Sequence, residues 1–321
     1  MAKIILKIKN NKFFMQSITE CYRKVSKDCF KFIKSQETSK EKFKNKEKMI
    51  KSFLIPISFW ISNRTNKSKP YLIGLAGGQG TGKTTISSIL RIILTKYFKL
   101  NVFKISIDDL YKTRKDRIKL SKKIHPLLMT RGVPGTHDIN FLFDLLKKTK
   151  GKQFNQQRLP KFNKAIDDRL KRKSWYLLKK VPDVIIFEGW CVGARAEKNT
   201  TLKKSINSLE RTEDKNLRWR KYVNIQLQTK YKKLFSKLDC LLFLKAGNFK
   251  LLQSWRLKQE ALLKLNSKNK ANSMVMSKNE VLTFMQTYQR VTQNMFKFAP
   301  KYSSIVLNLN RNHQIKSIKY N

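Results

Sequence analysis

From Tyr71 onward the chain alternates between short continuous apolar runs and longer stretches in which apolar residues recur every three or four positions. The runs are Tyr71-Leu-Ile-Gly-Leu75, Val102 to Ile107, Val184-Ile-Ile-Phe187, Cys240-Leu-Leu-Phe-Leu244 and Ile305-Val-Leu-Asn-Leu309. Strands that are apolar throughout, rather than at every second residue, are strands covered on both faces, as in a parallel sheet. Helical stretches separate them. Thr84 to Tyr97 is one, and a second begins where Ser277 and Glu280 form a capping box. There Val281, Phe284, Met285, Tyr288, Val291 and Met295 follow one face, a stripe that reads as core packing. The pattern predicts an α/β sandwich of three layers around a mainly parallel, five-stranded sheet. Ahead of it, residues 1–48 are Lys-rich with apolar residues at mixed spacing, such as Phe30, Phe32 and Ile33, and read as helical and surface-exposed. A short apolar helix follows at Lys51 to Ser62, and polar Asn63 to Lys69 with Pro70 marks a boundary. The expected organisation is therefore a helical, basic extension over residues 1–69 and one domain over residues 70–321.

Composition changes this picture little. The 321 residues carry 71 Lys plus Arg against 21 Asp plus Glu, a formal net charge of +50. Such an excess raises the question of nucleic acid, whose phosphates attract basic chains. Residues 1–69 are net +13 and the remainder net +37, so no basic tail is grafted onto a neutral body. Moreover 55 of the basic residues are Lys and only 16 are Arg, whereas base edges and bidentate phosphates favour Arg. The charge reads as decoration of exposed faces that attracts small anions generally, with no specific nucleic-acid partner. No apolar run approaches the ~18 residues that span a bilayer, so no membrane role is expected. The start has basic residues inside its apolar stretch and lacks a secretory pattern. Cys21, Cys29, Cys191 and Cys240 show neither C-x-x-C nor zinc-ligand spacing and read as buried, reduced thiols in a cytosol-like compartment, with a plastid as the alternative.

The chemistry begins after the first strand. Gly77-Gly78-Gln79-Gly80-Thr81-Gly82-Lys83-Thr84 fits G-x-x-x-x-G-K-[ST] without a mismatch and lies between a predicted strand and a predicted helix. Glycines let successive backbone N–H groups turn around a phosphate, and the helix N-terminus adds partial positive charge. Lys83 is placed to reach the β- and γ-phosphate oxygens of ATP, and the Thr84 hydroxyl to bind Mg²⁺. The loop marks a nucleoside-triphosphate site and leaves the phosphate acceptor open.

Only 16 acidic residues follow Lys69, so their placement is informative. Asp108 and Asp109 close the second strand, at the sheet edge where open α/β sheets bind ligands. A carboxylate there can take the proton of an attacking hydroxyl while its neighbour serves Mg²⁺-bound water. Taken alone, the pair equally fits a turn or a helix cap. Glu188 ends the apolar strand Val184 to Phe187, the arrangement that sets an acid near the metal of a P-loop enzyme.

These motifs, with others, resemble the plant and cyanobacterial type of D-glycerate 3-kinase, a relative of phosphoribulokinase, uridine kinase and pantothenate kinase. The resemblance runs from about residue 53 and rests on Leu54-Ile-Pro-Ile-Ser-Phe-Trp60, Gly74 to Thr85, Ser106-Ile-Asp-Asp-Leu-Tyr111 and His125-Pro-Leu-Leu128. It continues in Arg131-Gly-Val-Pro-Gly-Thr-His-Asp138, Leu159-Pro-Lys-Phe-Asn-Lys164, Asp168-Arg169, Phe187-Glu-Gly-Trp190 and Ser254-Trp-Arg-Leu-Lys-Gln-Glu260. It implies a P-loop fold, with an acceptor-site insertion at about 112–180 and a lid at about 246–278. It also implies ATP-dependent phosphorylation of D-glycerate at its 3-hydroxyl. Asp108 aligns with the family's base, Lys83 and Thr84 with its phosphate and Mg²⁺ groups, and Thr85 falls inside the loop block. Glu188 aligns with the second acid and Arg256 with the basic residue of the lid. Arg131, His137, Asp138, Lys164 and Arg169 fall on the acceptor side.

The sequence also departs from the family. Lys164-Ala-Ile-Asp-Asp-Arg169 lacks the glycine-bearing spacer usual before the Asp-Arg pair, and Leu110 replaces the usual Phe. Three other readings stay open at this stage: a related kinase of uridine, pantothenate or a pentose phosphate, a nucleic-acid-associated P-loop ATPase, and a non-catalytic paralogue. The Arg131 to Asp138 block argues against the first. Oligomeric state is not legible.

Overall fold

The computed structural model describes residues 12–38, 42–66, 68–149, 154–266 and 276–321. The first eleven residues of the expected extension, 150–153 of the insertion and 267–275 of the lid lie outside the described residues. All five apolar runs form strands: β1 (Tyr71–Gly77), β2 (Val102–Ser106), β7 (Val184–Gly189), β8 (Cys240–Lys245) and β9 (Ile305–Leu309). The insertion adds four short strands, β3 (Gln157–Leu159), β4 (Phe162–Asn163), β5 (Asp168–Arg169) and β6 (Tyr176–Leu178), which pair antiparallel as β3 with β6 and β4 with β5.

The main sheet has six strands rather than the five expected, in the order β10-β9-β8-β1-β7-β2. The addition, β10 (Ile315–Tyr320), is the antiparallel partner of β9. It escapes an apolar-run criterion because it is an edge strand. Of Ile315-Lys-Ser-Ile-Lys-Tyr320 only Ile315 is buried, and its lysines face solvent, which also blunts the open edge.

Helices cover both faces. They are α1 (Lys12–Gln36), α2 (Ile55–Ser62), α3 (Lys83–Lys96), α4 (Arg114–Lys123), α5 (Asn140–Lys148), α6 (Arg218–Gln226), α7 (Phe249–Asn266) and α8 (Lys278–Tyr302), with shorter turns between. Side chains alternate along β1, so Ile73 and Leu75 join one apolar core with α1, α2 and α3, while Leu72 and Ala76 join the other with α5 and α8. The capping box at Ser277 and Glu280 is formed as expected, and Val281, Met285, Tyr288, Val291 and Met295 are buried.

The segment read as surface-exposed behaves differently. Ile18, Cys21, Val25, Cys29 and Ile33 form one buried stripe of α1, which packs on α3. Their spacing of three and four residues is helical, but flanking half-buried Phe30 and Phe32 blur it in the sequence. All four cysteines are free and buried, and burial pushes the Cys21, Cys29 and Cys240 thiols up to about 12, which makes them poor nucleophiles. No helix among the described residues is long and apolar enough to cross a membrane.

Parallel pairing sets the site. Leu75 of β1, Glu188 of β7 and Ser106 of β2 stand level with one another across three adjacent strands. The Gly-rich turn, Glu188 and the Asp108–Asp109 pair therefore leave the sheet along a single edge.

Candidate active site

The loop after β1 closes on itself through two donors to one carbonyl. Thr81 Oγ1 and Lys83 Nζ both donate to Gly78 O, at 2.8 and 2.9 Å. Gly82 holds φ +82° at the N-cap of α3, a left-handed conformation that a side chain would strain. Gly78 is needed for a different reason: a Cβ there would lie 2.2 Å from Leu252 of α7, which lies directly over the loop. Burial lowers the Lys83 ammonium below its usual range, while Glu188 and Asp108 act to hold its proton.

Thr84 Oγ1 donates to Glu188 Oε1 at 3.1 Å, and Glu188 is 5% exposed. A hydroxyl and a carboxylate facing one another beside a phosphate loop are hard oxygen donors, a set that fits Mg²⁺. Lys104 donates to Ser88 Oγ at 2.9 Å; burial lowers its ammonium below the usual range, while Glu188 acts to hold its proton.

The two adjacent acids part company. Asp108 accepts from Tyr111 OH at 3.0 Å on one oxygen and pairs with Lys164 Nζ at 2.6 Å on the other. Burial opposes its charge, but the Lys164 ammonium, and then the Tyr111 hydroxyl, outweigh that and leave the carboxyl below its ordinary value. Asp109, expected beside the metal, turns instead to its own backbone. It completes a capping box with Ser106 and takes the Phe162 N–H of β4 and the Tyr176 hydroxyl, each at 3.4 Å. Burial pushes it up to about 6. The turn-cap alternative therefore applies to Asp109, and the facing toward Lys83 to Asp108.

The acceptor-side residues divide similarly. His137 is brought to Asp108: residues 111 and 137 form a β-bridge, and their rings stack at 4.6 Å with 19° between planes. Trp190 Nε1 donates to Gly132 O at 3.0 Å, so the Phe187-Glu-Gly-Trp190 and Arg131 to Asp138 blocks meet in space. Arg131, which the resemblance puts on the acceptor side, is paired with Asp167 at the tip of the β4–β5 hairpin, a residue that also pairs with buried Arg117 at 2.9 Å. Asp167 holds φ +51°, in the left-handed region that favours glycine. Arg169 donates to Tyr111 O at 2.8 Å and lies 3.7 Å from Asp138, while Asp168 accepts from the Arg114 N–H at 3.1 Å. These links hold the insertion against the strand ends.

Arg256 pairs with Glu260 one turn along α7 at 2.6 Å, and Glu260 in turn accepts from Met276 N. Its neighbour Trp255 is what meets the phosphate loop. Trp255 stacks on His313 at 4.0 Å, and the His313 ring nitrogen Nδ1 lies 2.9 Å from Gly80 O. Tyr111, Tyr231, Trp255 and His313 carry roles in the site that residue spacing did not assign. Tyr111 and Trp255 lie in recognisable blocks; His313, in the Asn310 to Gln314 turn before an unrecognised edge strand, has no local signal.

Comparison with known proteins agrees with this architecture. No family model matches the chain. It is 31% identical over 230 residues to the uncharacterized kinase mug58 of Schizosaccharomyces pombe, covering 69% of this chain and 79% of that protein. It is 27% identical over 254 residues to the chloroplastic D-glycerate 3-kinase of Arabidopsis thaliana, covering 74% of this chain but only 52% of the plant protein. Among solved structures, D-glycerate 3-kinase from Cryptococcus neoformans superposes with a TM-score of 0.68 at 24% identity, over 84% of this chain and 97% of that one. The chain belongs to the P-loop kinases of the phosphoribulokinase and uridine kinase type, as a homologue of the D-glycerate 3-kinases and mug58-like kinases, and is an ATP-dependent small-molecule kinase.

Proposed function

We propose that the chain transfers the γ-phosphoryl group of ATP to the 3-hydroxyl of D-glycerate, giving 3-phosphoglycerate and ADP. The observation that carries this reading is the docking of the Arg131 to Asp138 segment on the candidate base, through the Tyr111–His137 bridge and the Trp190–Gly132 hydrogen bond. That docking sets Asp108 among donors suited to an acceptor with both a carboxylate and hydroxyls. The likeness to D-glycerate 3-kinases supports the same acceptor.

In this reading the loop N–H groups from Gly77 to Thr85, with Lys83, hold the β- and γ-phosphates of ATP. Asp108 accepts the proton of the 3-hydroxyl as its oxygen attacks phosphorus, and ADP leaves against Lys83. Thr84 and Glu188 would hold Mg²⁺, which supplies charge neutralisation at the transferred phosphoryl group. Asp109 supports the turn that aims Asp108. Lys164 exchanges its bond with Asp108 for the acceptor, and the low proton affinity of Asp108 keeps it ionised until the hydroxyl arrives. Arg131 and Arg169 orient the insertion through Asp167 and Asp138, and the α7 lid with Arg256 closes over ATP.

The test is ADP release with D-glycerate, L-glycerate, ribulose 5-phosphate, uridine and pantothenate offered separately. Stimulation by D-glycerate alone is expected. Stimulation by another acceptor in its place replaces this reading, and no stimulation by any of the five overturns it.

A further inference from the structure

His137 and Tyr231 are 3% and 1% exposed, so every proton between them must be accounted for. Tyr231 lies in the helical turn Leu227–Tyr231 that follows α6. Its oxygen accepts the Gly135 N–H at 2.9 Å and lies 2.7 Å from His137 Nδ1. A hydroxyl has one proton to give. Donated to Nδ1, that proton satisfies Tyr231 completely and fixes the imidazole as the Nε2–H tautomer. The opposite tautomer would strand two buried groups, the Tyr231 proton and the Nε2 lone pair. A charged imidazole would strand the Tyr231 proton as well, and burial pushes the His137 pKa down to about 3.

One donor is then left over. Nε2 is fully buried and has no hydrogen-bond partner among the described residues. Buried donors are rarely left unmade, and an orphan beside a reaction centre points to a ligand. Its surroundings give the location. The His137 ring stacks on Tyr111, whose hydroxyl binds Asp108 Oδ1, so the unpaired N–H lies one ring away from the candidate base.

We infer that Tyr231 is a positioning residue that fixes His137 as a neutral Nε2–H donor to an oxygen of the acceptor substrate. The inference rests on the reading that the acceptor binds beside Asp108, and not on which hydroxyl compound it is. A neutral donor can hold a hydroxyl or carboxylate oxygen at any physiological pH without competing with Lys164 for the charge of Asp108.

Two measurements on the full chain test it. Imidazole ¹⁵N NMR of the wild type, which needs no turnover, is expected to show the Nε2–H tautomer, its proton shifting on addition of D-glycerate with an ATP analogue. The Nδ1–H tautomer, or an Nε2 proton indifferent to D-glycerate while D-glycerate is turned over, overturns the inference. In kinetics, Tyr231→Phe keeps the ring and is expected to raise KM for the acceptor about tenfold with KM for ATP unchanged, a loss equal to one hydrogen bond. His137→Gln, which retains an amide donor near the Nε2 position, is expected to recover most activity, and His137→Asn to recover little. Acceptor KM in the wild type is expected to show no inflection from His137 between pH 5 and 8. Equal rises in both KM values, or Asn serving as well as Gln, assign Tyr231 to packing alone. If another acceptor of the five is the one turned over, it replaces D-glycerate in each arm; the glycerate reading then falls while this inference is still decided.

Discussion

Asp109→Asn separates a metal-side acid from a buried cap, because the two predict opposite responses to pH. The Asp109 carboxyl, ordinarily at 3.8, is pushed up to about 6 by burial. A folded-state value above the unfolded one means that the folded chain holds this proton more tightly. The contribution to stability is full below about pH 4 and is lost as pH rises through about 6. The difference of about two pH units corresponds to about 3 kcal/mol. Asparagine keeps one carbonyl oxygen, enough for either the Ser106 or the Phe162 N–H but not both, so the variant carries a fixed cost at every pH; because it cannot titrate, it escapes the pH-dependent loss.

The stability of Asp109→Asn relative to wild type should therefore rise by about 3 kcal/mol between pH 4 and pH 8. At roughly 2 °C per kcal/mol for a chain of this size, the melting-temperature difference should tilt by about 6 °C. Paired thermal melts across that range, in one low-salt buffer series, read it directly, since every other titrating group cancels in the comparison. Phosphoryl transfer at pH 8 should fall by less than about fivefold, as only a cap is altered. A difference flat with pH, or a loss beyond about a hundredfold in kcat with the fold intact, refutes the cap assignment and returns Asp109 to the metal.

Three further outcomes follow from the same geometry. Asp108→Asn should lower phosphoryl transfer by roughly a thousandfold, as expected for loss of a general base, with nucleotide affinity by calorimetry nearly unchanged; loss of nucleotide binding would reassign the residue. His313→Ala removes both the stack on Trp255 and the contact with Gly80 O, and should raise KM for ATP about three- to tenfold while sparing the acceptor; an acceptor-only effect would break the link to the phosphate loop. Arg290→Met strands the carboxylate of Glu210, whose side chain is 1% exposed and 2.6 Å from the guanidinium, and should cost about 3–5 kcal/mol in urea unfolding; a cost under 1 kcal/mol would mean that the buried pair is dispensable.

The five parallel strands and the phosphate loop were legible because each depends on residues adjacent in sequence. Continuous apolarity marks a strand covered on both faces, and Gly77 to Thr84 needs only its own neighbours to form. What stayed hidden depends on distant partners. Asp108 and Asp109 are adjacent in the sequence; Ser106 and Tyr111 begin to separate them locally, and the approach of Phe162 and Lys164, more than fifty residues on, completes the division between backbone and site. Tyr231 is 94 residues from His137, and His313 is 233 from Gly80, so no local pattern could pair them. The buried stripe of α1 was missed for a different reason, since a helix flanked by phenylalanines on a Lys-rich background shows no clean apolar face.

The charge follows the same division between local and distant. Arg117, Arg131, Arg169, Arg220, Arg256 and Arg290 all pair with carboxylates, and Arg117, Arg220 and Arg290 are buried. Arg117 also donates to the carbonyls of Lys112, Met129 and Asp167, and Arg220 to those of Leu202, Glu210 and Asp214. A planar guanidinium can satisfy several acceptors at once, which an ammonium on a flexible stem does poorly. In this chain the scarce arginines therefore tie the insertion and the helical layer together, while most of the 55 lysines are left to the exposed faces. Lys83 and Lys104 are the exceptions that prove informative, since burial lowers both and both feel Glu188. A net charge of +50 thus describes the surface, and the site is set by the few positions where a lysine is drawn inward to meet an acid.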